Sequence, residues 1–327
     1  MALSRRALLA AVGGSALAGC SPSARGPAAG SIAPAPSAML AAPSAPASVT
    51  ASASASAPPA ESAAPTESAM STGSAAPTPT PTASAGKAAA PREPTRAEVV
   101  DRYGGAAPAE WGLEVAGVIT ELPEGERATA LTFDACGGPG GNGYDAALID
   151  FLRAHAVPAT LFLNARWIDA NPDEFEQLAA DPLFEIGNHG TVHRPLSVTG
   201  RSAYGIAGTR DVGEVYDEVA GNAHKLAGLL GHPPRFFRSG TAHYDDVATR
   251  IVADLGGRVA GFTVNGDGGA TLSAAQVRQE VAAAPAGAIV IGHLNHPGGG
   301  TAPGVAAAVP GLLAAGRRFV RLSDVLG

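Results

Sequence analysis

From residue 128 onward, the apolar positions of the chain alternate between two periods. Short runs rich in β-branched and aromatic residues, typical of buried strands, are separated by stretches in which apolar residues recur every three or four positions, as in amphipathic helices. The predicted strands are Ala128–Phe133, Ala159–Leu163, Phe184–Ile186, Arg235–Phe237, Arg258–Val264, Ala288–Ile291 and Arg318–Leu322. The predicted helices are Asp145–Ala154, Asp173–Ala180, Asp211–Leu230, Asp245–Leu255, Ser273–Ala283 and Gly304–Ala315.

This alternation predicts an α/β fold built from parallel βα units. A barrel and a doubly wound sheet both satisfy the pattern. No glycine-rich dinucleotide-binding loop with a later acidic partner follows the first predicted strand, which argues against a Rossmann fold. We therefore expect an irregular seven-stranded parallel βα barrel.

The first twenty residues have the pattern of an export signal. An arginine pair precedes the apolar run Ala7–Gly19, which is too short to span a bilayer. Ser4–Leu9 resembles a twin-arginine signal, and Leu17–Cys20 resembles a bacterial lipobox. We expect cleavage before Cys20 and attachment of a lipid to that residue, which would hold the exported chain at the outer face of the bacterial cell membrane.

Residues 21–100 have a different composition, dominated by Ala, Ser, Pro and Thr. Such a segment cannot bury enough apolar surface to offset its ordering entropy, so we expect a disordered linker. No aromatic residue occurs before Tyr103. The aromatic residues all belong to the remaining part, and residues 101–327 are predicted to form one folded catalytic domain.

Charge and cysteine content narrow the choice of partners. Residues 103–327 carry 15 basic and 24 acidic side chains, a net charge of −9, which argues against nucleic acid as a partner. If Cys20 carries a lipid, Cys136 has no cysteine with which to form an internal disulfide.

Reactive side chains follow the ends of the predicted strands. Active sites of βα barrels lie at the C-terminal ends of the strands, so these side chains should meet at one rim. His189 and His193 are four residues apart, a spacing that lets two imidazoles reach one metal ion. The side chains expected at the rim are Asp134, His189, His193, Arg238, Asp267 and His293.

These motifs resemble the NodB-type polysaccharide deacetylases of carbohydrate esterase family four. The resemblance extends from Ala128 to Leu326. It implies a NodB-like fold and a metal-dependent hydrolase that removes N-acetyl groups from a polysaccharide, with cell-wall peptidoglycan as one candidate substrate. The motifs that carry it, in order, are Leu131–Asp134, the H-G-T-V-H run at 189–193, Phe237-Arg238, the Asp267 loop and Ile291–His293.

The resemblance also implies the roles of the reacting groups. His189 and His193 would bind a divalent metal ion that holds a water molecule and polarises the acetamide carbonyl. Asp134 would take a proton from that water as general base, and His293 would protonate the departing sugar amine.

Two further residues would position these groups. Asp267 would orient His293 and stabilise its charged form, and Arg238 would hydrogen-bond Asp134. Each also has a purely structural interpretation. Asp267 could sit in an ordinary Gly-Asp-Gly turn, and Arg238 could pair with a surface acid.

The third metal ligand is where the sequence departs from the family pattern. The family usually has a second Asp directly after the first, and Ala135 stands there in this chain. Cys136 would point to the same side as Asp134 in an extended chain, and its thiolate would make a softer site that favours zinc. Asp134 itself could bind the metal, Cys136 could be buried and inert, or a loop residue could reach in: Asn142, Asp145 or His296.

Two other motifs differ as well. Ser239-Gly240-Thr241 stands where the family often has a proline and an aromatic residue that wall the substrate groove. Gly190 follows the first histidine, where a hydroxyl residue is usual. The reaction type therefore transfers better than the substrate preference.

The sequence leaves three functions open. The first is a membrane-tethered, metal-dependent deacetylase of an N-acetylated glycan. The second is a hydrolase of O-acetyl esters or of another amide on the same fold. The third is a degenerate glycan-binding lipoprotein in which the change to Ala135 abolished the metal site.

Overall fold

The computed structural model describes residues 92–327, so the expected export signal and the linker up to residue 91 lie outside the described residues. The strands are β1 (Trp111–Gly112), β2 (Val118–Ile119), β3 (Ala130–Ala135), β4 (Ala159–Leu163), β5 (Phe184–Asn188), β6 (Phe236–Phe237), β7 (Tyr244–Asp245), β8 (Arg258–Ala260), β9 (Val264–Asn265) and β10 (Ile289–His293). The helices are α1 (Arg96–Tyr103), α2 (Ala146–Ala154), α3 (Ala165–Ala170), α4 (Pro172–Ala180), α5 (Val212–Leu230), α6 (Asp246–Asp254), α7 (Ala274–Ala283), α8 (Thr301–Ala314) and α9 (Leu322–Leu326). Within residues 92–327, no helix is both long enough and apolar enough to cross a membrane.

Eight strands form one parallel sheet in the order β2-β8-β6-β5-β4-β3-β10-β9. The chain passes from Ala260 in β8, near one end of this order, to Val264 in β9 at the other end. Four residues span at most about 14 Å, so the two ends of the sheet lie close together and the sheet is curled. The predicted fold class, a parallel βα barrel, is thereby confirmed.

The strand count is eight in this sheet and not the predicted seven. The predicted strand 258–264 is two short strands, because the chain crosses between the sheet ends at residues 261–263. The predicted strand 318–322 makes one isolated bridge, from Phe319 to Thr129, and α9 begins at Leu322. Strand β2 has only two residues, too few to show a period in the sequence.

Alternation along β3 separates the helix-facing core from the barrel interior. Leu131, Phe133 and Ala135 belong to the buried cluster that packs the sheet against α2, α7 and α8. Thr132 and Asp134 point to the other side, where the Arg238 guanidinium donates to both. This parity decides which residues of the strand can take part in a site inside the barrel.

Helix α1 extends the ordered domain toward the N-terminus. A capping box between Thr95 and Glu98 starts the helix, and Val99 is fully buried in a cluster with Val215 and Val219 of α5. The domain boundary expected at residue 101 therefore falls inside a packed helix. The Thr-x-x-Glu pattern is the local signal that composition alone overlooks.

The buried hydrogen bonds of Asp245 can be tested for their contribution to the stability of the fold. It is fully buried, and its carboxylate accepts from the Ala248 amide at the start of α6 (2.8 Å) and from the Val198 amide (2.7 Å). Asp245→Ala removes a helix cap and leaves a buried amide unpaired, so we expect a loss of roughly 2–4 kcal/mol in the free energy of unfolding. Urea denaturation with an unchanged m-value measures this loss.

Ser273→Ala is the matched control for that substitution. Ser273 caps α7 from an exposed position, where water can replace the lost acceptor, so we expect a loss of only about 1 kcal/mol. Equal losses in the two variants would show that the Val198 contact contributes nothing.

Candidate metal centre and active site

The C-terminal ends of four parallel strands meet at one rim. Asp134 in β3 lies directly opposite His293, the last residue of β10, and Asn188 at the end of β5 lies opposite Phe237 in β6. His189 and Arg238 are the next residues along the chain. The structure thus brings together the side chains that the sequence pattern placed at strand ends.

Cys136, His189 and His193 form a compact group of potential metal ligands. Their donor atoms all lie within 4.8 Å of one another, and the Cys136 Sγ lies 3.9 Å from the His189 Nε2. The two imidazole rings are 5.0 Å apart between centroids and nearly perpendicular. Two imidazoles and a sulfur are a donor set that suits zinc.

The protonation of His189 leaves a ring nitrogen free for a metal ion. His189 is buried, and its Nδ1 donates to the backbone carbonyl of Arg238 at 2.9 Å. The Nε2 faces Cys136 and is the ring nitrogen that a metal ion can reach. Such a carbonyl partner on the far nitrogen is what fixes the tautomer of metal-binding histidines.

His193 supplies the second observation that the group fits a metal ion. Its Nε2 is buried and has no hydrogen-bond partner among residues 92–327. An unpaired buried ring nitrogen costs free energy, and a bound cation would satisfy it. The donor set and this unpaired nitrogen together match a divalent cation.

Cys136 is chemically suited to be a ligand. Burial raises the pKa of its thiol, but the neighbouring imidazoles of His189, His193 and His293 outweigh that effect and bring the pKa well below its ordinary value. The thiolate is the form of cysteine that binds metals. These three neighbouring imidazoles favour the ligand interpretation of Cys136 over the inert one.

The other candidates for a third metal ligand do not belong to the group formed by Cys136, His189 and His193. Asn142 accepts from the Gly138 amide within its own loop, and Asp145 caps α2 through the Leu148 amide. His296 lines the neighbouring cavity but is not a member of the Cys-His-His group. Asp134 lies close, with its Oδ2 at 3.6 Å from the His189 Nε2, so it borders the metal group.

Arg238 holds Asp134 from inside the barrel. The guanidinium is fully buried and donates to the Asp134 Oδ1 at 2.8 Å, to Thr132 and to the carbonyls of Ala260 and Gly261. A buried ion pair with this many satisfied donors fixes a geometry well. Arg238 therefore pairs with the candidate base, and the surface-acid interpretation is wrong.

Asp267 and His293 form a second buried pair. The His293 Nδ1 lies 3.0 Å from the Asp267 Oδ1, and the His293 backbone amide donates to the Oδ2 at 2.7 Å. Burial lowers the pKa of His293, but the Asp267 carboxylate reverses this and holds that pKa well above its ordinary value. Asp267 also accepts from the amides of Gly269 and Ala270, so the turn and the pairing are both real.

A cavity of about 370 Å³ opens beside these groups. Its wall includes Cys136, His193 and His293, so the metal group and the charged imidazole face the same space. Its volume is at the lower end of the range for small-molecule sites. The arrangement can polarise a bound carbonyl, accept a proton at Asp134 and return one from His293.

Glu218 on α5 is a supporting residue that motif reasoning missed. It is buried, and its carboxylate accepts from the backbone amides of Val192 (3.0 Å) and Arg194 (3.1 Å), on either side of His193. Asn222, one turn further along the helix, donates to Asn188 just before His189. Two polar residues four apart on the apolar face of a predicted helix were the available signal.

Glu218 also explains why glycine follows the first histidine. Gly190 has a φ of +75°, and a Cβ at this position would overlap the Glu218 carboxylate. The departure from the family pattern at this residue therefore belongs to a different way of anchoring the loop.

Gly190→Ser tests that anchoring. We expect the zinc affinity to fall about 10–100-fold, as is typical when the groups that orient metal ligands are lost. Competition with a chromophoric chelator measures the affinity. Gly231→Ser is the matched control, because Gly231 has a similar φ of +77° with open space around its Cα and lies at the far end of α5. A similar loss of zinc affinity in both variants would contradict the role of Glu218.

Asp267→Asn tests the buried pair through pH. Burial raises the pKa of Asp267, but its hydrogen bond and charge interaction with His293 lower it below the ordinary value. A depressed carboxyl pKa contributes stability that is present above the unfolded value and is lost as the pH falls. At pH 5 we expect the variant to be less stable by roughly 3 kcal/mol, because it leaves a buried cation unpaired.

The difference in the free energy of unfolding between the wild type and Asp267→Asn should narrow as the pH falls from 5 toward about 3, because Asp267 becomes protonated in the wild type as well. Urea denaturation across this range follows it. Asp150→Asn, at a side chain that is 75% exposed, should show no comparable trend. A difference that stays constant with pH would contradict the ionised pair.

Comparisons with known proteins agree with the fold and with part of the sequence pattern. The sequence model of the polysaccharide deacetylase family matches residues 121–260, which include Asp134, Cys136, His189, His193 and Arg238. No curated protein sequence matches the chain. Asp267 and His293 follow the matched segment.

Three solved structures show the same fold. They are a carbohydrate esterase family four pseudoenzyme from Bacillus anthracis (TM-score 0.54, 21% identity, 64% of this chain and 69% of that chain), a peptidoglycan N-acetylglucosamine deacetylase (0.53, 22%, 64% and 92%) and the Bacillus subtilis family four carbohydrate esterase PdaA (0.53, 20%, 64% and 85%). Both findings agree with the resemblance in the motifs: residues 121–260 are similar to the polysaccharide deacetylase family, and the folded part of the chain has the fold of these three structures.

Proposed function

We propose that this domain is a divalent-metal-dependent hydrolase that removes N-acetyl groups from a glycan. The observation that carries the proposal is a cavity whose wall includes Cys136 and His193 of the Cys-His-His donor group together with the charged imidazole of His293. The buried Asp134 carboxylate, fixed by Arg238, borders that donor group. Hydrolysis of an acetamide needs a group to take up a proton from water and another to protonate the amine. We assign these tasks to Asp134 and His293.

Cys136, His189 and His193 would hold the metal ion. When bound there, a divalent ion supplies Lewis-acid chemistry that polarises a carbonyl and makes water more acidic. The soft sulfur and the two imidazoles favour zinc over magnesium or calcium.

The chain's own groups account for the proton transfers. Arg238 occupies the Oδ1 of Asp134, so the Oδ2 is the oxygen available to accept a proton from the attacking water. His293 is held in its charged form by Asp267 and donates a proton to the amide nitrogen as the carbon–nitrogen bond breaks. The products are acetate and a free amine on the sugar.

The solved relatives support the substrate class without deciding activity. One is a peptidoglycan N-acetylglucosamine deacetylase, whereas others are a pseudoenzyme and a mutant of it with restored enzymatic activity. Since both kinds of protein share the fold, competence depends on the residues at the rim. Ala135 removes a usual ligand, and Cys136 offers a replacement two atoms of side chain long.

Metal analysis combined with acetate release tests the proposal. We expect the purified domain to bind one zinc ion and to release acetate from N-acetylated oligosaccharides. Asp134→Asn should lower the rate by at least about 10³-fold while zinc stays bound, because the general base is lost. Asp173→Asn, at an exposed position on α4, should leave the rate unchanged.

Other outcomes would select the alternatives. Acetate released only from O-acetylated substrates would identify an esterase. No bound metal and no acetate with any divalent ion supplied would leave a glycan-binding protein. Retained activity in Asp134→Asn would remove Asp134 from the mechanism.

We further propose that the chain is exported and tethered by a lipid at Cys20. The support is the arginine pair, the short apolar run and the lipobox-like Leu17–Cys20. Full-length protein should sediment with the membrane fraction of a bacterial host, and Cys20→Ser should release it. Equal sedimentation of both would contradict lipid attachment.

A further inference from the structure

Tyr204 occupies a position in the backbone that tyrosine disfavours. Ala203 and Ile206 exchange both backbone hydrogen bonds across a two-residue turn, at 3.1 and 2.9 Å. The central residues Tyr204 and Gly205 have φ values of +52° and +77°. Positive φ at both positions defines a type I′ turn, for which Asn-Gly is the preferred pair.

The side chain gains little burial in return. Tyr204 is 77% exposed, the highest value among the exposed large apolar side chains of the described residues. A bulky residue with positive φ costs free energy, and an exposed ring returns little of it. Folding alone would favour asparagine at this position.

Other planar side chains hold the turn in place. The ring of Tyr204 meets His243 edge to face, with 5.1 Å between centroids, and His243 lies 5.8 Å from Trp111. The Arg201 guanidinium covers the Trp111 ring at 5.1 Å. His243 thus contacts the Tyr204 ring and is itself packed against Trp111, while most of the Tyr204 surface stays open.

Tyr204 also lines the cavity that contains the reactive groups. The same wall includes His193 and His293, so the exposed ring is continuous with the candidate active site. The same wall includes both apolar and polar side chains: Ile206, Thr241, Phe262, Asn265 and His296. The Thr241 hydroxyl has no hydrogen-bond partner in the part of the chain that the structure describes.

This combination matches the surface chemistry of a sugar ring. A pyranose has an apolar face of C–H groups, which packs on an aromatic ring, and a rim of hydroxyls, which needs hydrogen-bond partners. A chain of sugars whose acetamide enters the cavity must leave it past the neighbouring wall. Tyr204 stands on that wall.

We propose that Tyr204 forms a sugar-binding subsite, stacking against a ring of the glycan next to the one whose acetamide enters the cavity. The assignment rests on the proposed function for its ligand class. Tyr204 supplies an aromatic side chain from the 203–206 turn. Ser239-Gly240-Thr241, which stands where the family often has an aromatic residue, contains none. The substrate is then an oligosaccharide or polymer and not a free acetylated sugar.

The test compares the wild-type protein with its Tyr204→Asn variant, both as full-length chains. Asparagine suits the turn, so the variant should unfold at the same or a higher urea concentration. Its affinity for the tetrasaccharide of β-1,4-linked N-acetylglucosamine should fall at least about tenfold, consistent with the loss of an aromatic stacking contact. Calorimetric titration of metal-free protein measures this binding without any turnover.

A kinetic arm uses the zinc-loaded protein. Tyr204→Asn should raise the KM for the tetrasaccharide, leave its kcat unchanged and leave kcat/KM for the monosaccharide unchanged. Tyr204→Phe keeps the ring and should bind as wild type does. Leu229→Asn removes another exposed apolar side chain, 53% exposed on α5, and should also bind as wild type does.

The outcomes separate the subsite from the proposed reaction. Weaker tetrasaccharide binding in Tyr204→Asn without acetate release from any protein supports the subsite and overturns the deacetylase. Equal tetrasaccharide affinities in wild type and Tyr204→Asn, or no binding to wild type, overturn the subsite even if acetate is released. A variant that unfolds at a lower urea concentration would show that Tyr204 is a structural residue.

Discussion

The interior of the barrel depends on the hydrogen bonds that the buried guanidinium of Arg238 donates. A cation without solvent must have its donors satisfied by the protein, and here they reach Thr132 and Asp134 on β3 and the carbonyl of Ala260 on β8. The backbone carbonyl of the same residue accepts from His189. One side chain therefore joins three strands, and one residue orients both a carboxylate and an imidazole.

Much of this architecture can be predicted from the sequence, because apolar residues recur with different periods in buried parallel strands and in amphipathic helices. The strand Ala159–Leu163 is placed to the residue, and the side chains expected at the rim do converge. The short strand β2 escapes prediction since pairing with β8 creates it and no local period marks it. The break at 261–263 escapes for the same reason, because only the curled sheet requires it.

The candidate site shows a similar division. Strand parity predicts that Cys136 and Asp134 share a side, but it does not predict that the thiol meets two imidazoles. That distance depends on the loop after β5, which Glu218 holds through contacts distant in sequence. Sequence motifs do not reveal residues that hold a loop from a neighbouring helix, because a motif contains only residues that are close together in the sequence.

The outward orientation of Ala135 has a consequence for how such a site could change over time. Its methyl group is fully buried in the apolar cluster between sheet and helices. A carboxylate introduced there would sit in the core beside Leu163 and Trp167, with a high desolvation cost. A single Ala135→Asp substitution would therefore lower the free energy of unfolding, and strand parity would point its carboxylate away from the interior of the barrel.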